Sequence, residues 1–393
     1  MGKSFQAPHI TPYRTMDFSV VTTNTYILPL LVAAVVSITF LAVHYGLFYL
    51  APARKKNQTY ATTELKPMVS IILTAHNDAE WLRENLVYLL EQDYSNFEVV
   101  VVDYLSTDET TFVLQVCSDN YPNLKVVKIT QDVNMFHSKK FPLSVGIKSA
   151  SRESNIMLFI DADCVPQGFN WVSSMVKGYT NSEKQIVLGY CGLKQEPTLL
   201  NAMQQYENLT NNLSMLSAAM HAHPYTGCGR NLSYRRDFFY NQGAFTSHYT
   251  ESEGADDMFV NQNAKGKNTN IVIDPESFVI AKAQESSQQW RQQRRSRQAS
   301  RRHYPIGLKL QHALHPLATA IFYASLIALV VMGFPWEIVL GVFILKSAWQ
   351  IFTLFKASKK FECDKIFWYA PLFEIYFLFA NTFLHFIPLH NRK

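Results

Sequence analysis

Ile156-Met157-Leu158-Phe159-Ile160-Asp161-Ala162-Asp163 sets two carboxylates one residue apart, directly behind a run of five apolar residues. Such a run, bounded by polar residues, reads as a strand of a parallel sheet covered on both faces. Ligands of such sheets bind beyond the carboxyl ends of the strands. Carboxylates at that place suit a hard divalent cation, Mg²⁺ or Mn²⁺, which takes one or two protein carboxylates together with substrate phosphates. An Asp-x-Asp pair is also common in ordinary turns, so its meaning depends on what lies beside it.

Upstream, Val69–Leu73 reads as a first strand. It is followed by Asn77-Asp78 as the cap of a helix whose Leu82, Leu86, Leu89 and Leu90 recur at helical spacing. Val99–Val102 reads as a second strand, Val126–Ile129 as a third and Ile156–Ile160 as a fourth, with a helix near Ser144–Ala150. The alternation implies an α/β fold with a mostly parallel, doubly wound sheet. His76-Asn77-Asp78 follows the first strand, Asp103 the second and Asp161-Ala162-Asp163 the fourth, so three acidic sites fall at one sheet edge. A carboxylate there can accept from a base N–H or a ribose hydroxyl while the pair takes the metal. The plain alternatives are that Asp78 caps a helix and Asp103 opens a turn.

The chain has 393 residues, 48% of them apolar, enough for a sizeable core and for membrane segments besides. Between Thr22 and Pro52 there is no Asp, Glu, Lys or Arg, and Ile27–Leu50 is long enough to cross a bilayer as a helix. Arg54-Lys55-Lys56 follows at once, which favours an uncleaved anchor with its basic end in the cytoplasm and residues 1–26 outside. Three apolar segments close the chain, 314–334, 337–355 and 366–389, as transmembrane or interfacial helices. Lys346 lies within the second and Glu374 within the third. Such charges are costly in a bilayer, and the pair is expected to meet, the alternative being an interfacial segment with Lys346 snorkelling to the surface.

Residues 57–311 between these regions read as one cytoplasmic domain, giving an integral membrane protein of bacterial inner-membrane type. Arg291, Arg294, Arg295, Arg297, Arg301 and Arg302 contribute +6 against a net charge of +5, leaving about −1 for the rest, so the basicity is local. A juxtamembrane basic stretch of this kind meets membrane lipid headgroups, and without interleaved aromatics it excludes a nucleic-acid groove. The five cysteines, Cys117, Cys164, Cys191, Cys228 and Cys363, show no Cys-x-x-Cys spacing and indicate neither a zinc site nor a disulfide framework.

Pro67–Asp78, Asp103-Tyr104-Leu105-Ser106-Thr107-Asp108, Asp161–Pro166, Gly227–Arg236, Gly254-Ala255-Asp256-Asp257 and Trp290–Arg295 together resemble, in order, the family 2 glycosyltransferases. The resemblance is to membrane-anchored members related to cellulose, hyaluronan and poly-N-acetylglucosamine synthases. It implies a GT-A fold and inverting transfer from a nucleotide-sugar donor, a UDP- or GDP-sugar. By that resemblance Asp78 and Asp103 sit by the nucleoside, Asp161 and Asp163 by the metal and diphosphate, and Lys139 or Lys140 near the phosphates. Asp256 is then the general base toward the acceptor, with Asp257 as the alternative. Gly229, Arg230 and Asn231 form a donor-sugar or acceptor loop, and Gln292, Gln293, Arg294 and Arg295 approach the diphosphate.

Three departures shape the expected activity. The family's Asp-Asp-Gly is here Asp103-Tyr104-Leu105, and neither register of Gln292-Gln293-Arg294-Arg295-Ser296-Arg297 carries the tryptophan of the Gln-x-x-Arg-Trp motif. That tryptophan offers a growing polymer a stacking surface. Three candidate helices are also a small basis for a translocating channel. The expectation is non-processive transfer to a lipid-linked or membrane-proximal glycan acceptor. The alternatives are a processive polysaccharide synthase and a catalytically silent nucleotide-sugar-binding scaffold.

Overall fold

A computed structural model describes residues 25–56, 66–131, 139–248, 254–302, 304–363 and 366–384. Most of segment 1–26, and residues 385–389 of the last apolar segment, lie outside them. The strands are β1 (Val69–Ala75), β2 (Phe97–Tyr104), β3 (Leu124–Ile129), β4 (Ile156–Phe159), β5 (Cys164–Pro166), β6 (Ile186–Leu188), β7 (Cys191–Leu193), β8 (Leu232–Arg235), β9 (Thr269–Ile271) and β10 (Val279–Ala281).

The order β3-β2-β1-β4-β8-β6-β9 makes one sheet and β5-β10-β7 a second. β1 pairs in parallel with β2 and β4, β2 with β3, and β6 with β9, while β8 runs antiparallel between β4 and β6. This is a GT-A-like α/β fold with a mostly parallel sheet. Alternate residues of the central strands feed separate cores. Ile72, Val100 and Met157 join one, and Ile71, Leu73, Val101 and Leu158 the other, as the period of two demands. The first core also contains Tyr45, Leu209, Phe322 and Leu354, so the sheet and the apolar helices share it.

Helix Leu199–Met220 closes the open edge of the second sheet. The side-chain amides of Asn208 and Asn212 both donate to the Cys191 carbonyl, at 2.9 and 3.2 Å, and that of Gln205 donates to the Leu193 carbonyl at 2.8 Å. These residues recur every three or four positions, so one helical stripe covers the carbonyls that β7 leaves unpaired.

Among the described residues, three helices are long and apolar enough to cross a membrane: Ile27–Arg54, Ile306–Val331 and Trp336–Lys360. The first passes through a π-helical stretch, Tyr45–Leu50, just before Pro52, whose missing N–H removes a donor from the α-helical ladder. The last apolar segment is a 3₁₀ turn, Ile366–Tyr369, and a shorter helix, Ala370–Leu384. Lys346 and Glu374 meet in a buried ion pair, as their shared cost in an apolar medium leads one to expect. Lys346 Nζ also donates to Gln350 Oε1 at 3.1 Å and to the Tyr323 hydroxyl at 3.2 Å, and Tyr45 donates to Glu374.

Every charged atom of that pair is therefore solvated by protein groups, and removing one partner strands the other. Lys346→Glu and Glu374→Lys should each destabilise the full chain by about 3–5 kcal/mol. The double exchange should recover much of the loss in folded yield from membranes. Equal yields for the single and double variants would show that the pair is dispensable.

Candidate active site

β4 ends at Phe159, and the chain crosses to β5 through Ile160-Asp161-Ala162-Asp163. The Cys164 amide closes this turn on the Asp161 carbonyl at 3.1 Å, and the Asp163 carbonyl accepts from the Lys282 amide at 3.0 Å. The turn is thus fixed from the backbone, with the Asp161 and Asp163 side chains 31% and 29% exposed. Arg230, arriving just before β8, spans the two: Nε lies 3.3 Å from Asp161 and Nη2 3.0 Å from Asp163. Lys139 stands 3.7 Å from Asp161. Burial alone would raise the Asp161 carboxyl, but the Lys139 and Arg230 charges hold it below the usual carboxylate range.

Asp78 follows β1, within electrostatic reach of Asp163. Burial raises its carboxyl, the neighbouring Asp163 adds to the rise, and the His76 amide, donating at 2.8 Å, opposes it. Asp78 does not cap the helix that follows with its own side chain, and that helix breaks at Leu86 into Ala79–Asn85 and Val87–Leu90. Asn77 adopts φ 58° and accepts from the Thr107 amide at 2.8 Å, tying the loop after β1 to the loop after β2. Asp103 is fully buried at the end of β2, where its Oδ2 accepts the Thr111 hydroxyl at 2.5 Å. Leu105 takes φ 55° where the resemblance has glycine, a left-handed conformation costly for a branched side chain.

A cavity of about 320 Å³ opens beside the pair, lined by Asp161, Lys139, Gly229 and Arg230 on the sheet side. It is also lined by Asp257 and Thr226, and by Gln293, Ser296, Arg297, Ser300 and Arg301. Asp257 lies in the first turn of helix Ala255–Asn263 and accepts the Thr226 hydroxyl. Gly254 turns the chain into that helix at φ 77°, and a Cβ there would stand 3.0 Å from Met258 and 3.1 Å from Ser300. Asp256 is described by its backbone alone, in the same turn. Tyr225 and Tyr304 complete this end. Burial raises both phenols, Tyr225 to about 12, and the Asp257 charge adds to each, so both remain neutral donors at pH 7.

Helix Ser287–Arg301 begins with a capping box between Ser286 and Gln289. It presents two faces. Trp290 and Arg294, four apart, turn inward: Trp290 Nε1 donates to Glu207 at 2.9 Å, while Arg294 meets Glu207 at 2.7 Å and Asn381 at 2.5 Å. Gln293, Arg297 and Arg301 recur at the same spacing on the face toward the cavity.

The sequence-predicted residues therefore divide. Asp161, Lys139, Gly229, Arg230, Asp257 and Gln293 border the cavity, while Asp163 does not line it and meets the lining residue Arg230. Lys140 is fully buried, Gln292 is exposed, and Arg295 does not line this cavity. Arg294 belongs to the inward face, contrary to the diphosphate role inferred from its motif. Asn231 likewise is structural in its contacts. It is buried, donates to the Tyr190 and Ser277 carbonyls at 2.8 Å each, and accepts from Trp171 at 3.1 Å. Gly227 serves close packing, since a Cβ would meet Val260 at 3.0 Å and Leu232 at 3.1 Å. Thr226, Tyr225, Arg297, Arg301 and Tyr304 were not foreseen. The two arginines are the i+4 and i+8 partners of Gln293, and that spacing was the available signal.

Residues 70–242 match the family model for glycosyl transferase family 2. The chain is 27% identical over 188 residues to glycosyltransferase AglE of Haloferax volcanii, covering 47% of this chain and 58% of that protein. It is 33% identical over 96 residues to the poly(ribitol-phosphate) beta-N-acetylglucosaminyltransferase TarS of Staphylococcus aureus, covering 24% and 16%. The mannosyltransferase PcManGT of Pyrobaculum calidifontis, solved with GDP-Man and Mn²⁺, superposes over 90% of this chain and 99% of its own, with a TM-score of 0.57 at 18% identity. The matched stretches thus span little more than half of the archaeal relative and a smaller part of the staphylococcal one. With its ordered strand-end carboxylates and its sheet order, the chain carries a glycosyl transferase family 2 domain, set on a GT-A-like α/β fold.

Proposed function

We propose that the chain is a membrane-bound inverting glycosyltransferase, moving one or a few sugars from a UDP- or GDP-sugar to a lipid-linked or membrane-proximal glycan acceptor at the cytoplasmic face. The observation that carries this reading is that one cavity is lined both by Asp161 with Arg230 and by Asp257 with Thr226. Inverting transfer needs a carboxylate on the acceptor side and positive charge on the leaving-group side.

Asp161, which lines the cavity, and the neighbouring Asp163 offer hard oxygens one residue apart, and this donor set fits Mg²⁺ or Mn²⁺. Such a cation, when bound, neutralises charge developing on a departing diphosphate. Arg230 and Lys139 bring two further positive charges to that end and orient the diphosphate by charge-assisted hydrogen bonds. Across the cavity, Asp257 takes the proton from the acceptor hydroxyl, and the Thr226 hydroxyl fixes its carboxylate. Asp256 is the other member of this pair, so the role falls to one of two adjacent residues. Asp78 lies within electrostatic reach of Asp163 and suits the nucleoside side of the donor. The single-sugar reading is supported by Trp290, which is turned inward rather than offered to a polymer.

Asp163→Asn should lower Mn²⁺-dependent hydrolysis of a nucleotide-sugar by about 100-fold, the loss of several kcal/mol of charge stabilisation, without changing the melting temperature by more than a few degrees. A wild-type rate would remove the pair from the mechanism, and no metal-dependent turnover by the wild type with any donor would favour the scaffold reading.

Asp257→Asn and Asp256→Asn separate the two acceptor-side carboxylates. Asp257→Asn is expected to leave nucleoside-diphosphate affinity intact, measured by calorimetry, while slowing transfer by about 10²–10⁴-fold. If only Asp256→Asn slows transfer, the base is Asp256.

A further inference from the structure

The acceptor-side carboxylate is held by more than the helix that carries it. Asp257 accepts the Thr226 hydroxyl, and one turn further along the same helix the Asn261 side-chain amide donates to the Tyr225 carbonyl at 2.9 Å. Helix Ala255–Asn263 is thus tied twice to residues 225 and 226. Thr226 has one proton to give and two lone pairs to fill. Its oxygen meets three partners: the Asp257 carboxylate, the Gly227 carbonyl at 3.5 Å, and the phenol of Tyr304, to which it is hydrogen-bonded. The carboxylate is the strongest acceptor of the three and takes the Thr226 proton. The neutral phenol is then left to donate its own proton to the Thr226 oxygen.

Tyr304 is well placed to hold that position. It is buried in the link between Ser287–Arg301 and Ile306–Val331, and its amide donates to the Arg301 carbonyl at 3.2 Å. Pro305 follows and restricts its backbone. Its ring lies 6.3 Å from that of Tyr225 and 6.2 Å from that of His312, which itself stands 4.7 Å from Tyr225. Asp257, Tyr225, Arg301 and His312 are the described titratable groups around it. Tyr304 borders the cavity beside Thr226 and Asp257, and also a second one, of about 820 Å³, between the basic helix and the apolar helices.

We propose that Tyr304 is a positioning residue for sugar transfer: its phenol donates to the Thr226 hydroxyl, Thr226 donates to Asp257, and this relay holds the carboxylate in the rotamer that lines the cavity. The inference rests on the reading of Asp257 as the base and adds the residue that sets its orientation. In the transfer step the acceptor oxygen bonds to the anomeric carbon as the bond to the diphosphate breaks. The electron pair leaves on the diphosphate, and the acceptor proton passes to Asp257. Tyr304 acts on this step through Thr226. A donated phenol proton polarises the Thr226 O–H and strengthens its bond to the carboxylate. Without it, the Thr226 hydroxyl can turn to the Gly227 carbonyl, and Asp257 loses a charge-assisted donor and a fixed rotamer together. The loss falls on proton transfer and leaves donor binding, at the Asp161 end, as it was.

The assay is Mn²⁺-dependent release of UDP or GDP from a panel of UDP- and GDP-hexoses by the purified full chain, with water as the acceptor. Tyr304→Phe should lower kcat about tenfold while KM and the melting temperature stay unchanged. It should also move the acidic limb of the kcat profile up by roughly half a pH unit, because a carboxylate that loses a donor keeps its proton to higher pH. Thr226→Val should be at least as slow, and Thr226→Ser, which restores the hydroxyl, should recover most of that loss. In the Thr226→Val background Tyr304→Phe should change nothing further, since the relay is already cut. Should Tyr304→Phe lower the melting temperature by more than a few degrees, a fluorinated tyrosine at position 304, a stronger donor of nearly the same size, should move the limb the opposite way. The inference is overturned if neither replacement moves the limb, or if the Tyr304→Phe effect is undiminished in the Thr226→Val background. Asp257→Asn separates the two readings. Slow turnover by Asp257→Asn beside a wild-type rate and profile for Tyr304→Phe sinks the relay alone, whereas wild-type turnover by Asp257→Asn removes the base and the relay with it.

Discussion

The Glu207 carboxylate holds three parts of the molecule in register. It accepts Trp290 Nε1 and Arg294 Nε from the basic helix, and Arg294 reaches on to Asn381 in the last helix. Its own helix, Leu199–Met220, is fixed to the second sheet through the Asn208 and Asn212 amides. Sheet, basic helix and apolar helices thus meet around one carboxylate. The guanidinium also lies over the Trp290 and Phe377 rings, at 5.1 and 5.0 Å, so its apolar faces are covered while its N–H groups are satisfied. A buried ion pair is stabilising only when its remaining donors and acceptors are satisfied in this way. Its consequence is orientation: with Arg294 turned inward, Gln293, about 100° round the helix, is left to face the cavity.

At the other wall the constraint is repulsion. The sheet brings Asp161, Asp163 and Asp78 to one edge, an arrangement that favours protonation or disorder unless opposite charge is supplied. Arg230 supplies it from β8, the antiparallel strand inserted beside β4, and Lys139 from the start of the helix that packs on β1 and β2. Concentrated like charges balanced by cations aimed into a cavity are a poor way to stabilise a fold and a good way to bind a diphosphate and its metal.

The sheet was legible in the sequence because parallel strands are buried on both faces and read as continuous apolar runs. β1, β2 and β4 each do so, and the Asp161/Asp163 pair marked the functional edge. β8 was less visible, since Leu232-Ser233-Tyr234 mixes polar and apolar residues. The Lys346–Glu374 pair followed from cost alone, because two opposite charges in apolar segments have few other ways to be satisfied. The basic helix was misjudged in detail. A motif is contiguous in sequence, whereas a helix sends residues 293 and 294 in directions about 100° apart, so one stretch serves two faces. The amide stripe of Leu199–Met220 left no motif at all, because its function is to satisfy backbone carbonyls of a short edge strand that only the tertiary structure exposes.

The short link from the basic helix into the apolar region also bears on what the site handles. Ser287–Arg301 ends and Ile306 begins the next helix with Pro305 at its cap, so the roof of the transfer cavity is joined almost directly to a candidate membrane span. Tyr304, buried in this link, borders both cavities. A roof so tethered cannot swing far without moving the helix that follows it, which favours a chamber of fixed height above the apolar region. A volume of about 320 Å³ lies near the lower end of ligand cavities, ~300–1,000 Å³, and suits one sugar more than a chain of them. The aromatic of this helix, Trp290, is held against Glu207 and Phe377, where it gives a growing polymer nothing to stack on. A fixed roof, a small chamber and an inward-turned tryptophan all oppose the repeated advance of a product through the site, and so favour transfer that ends with release.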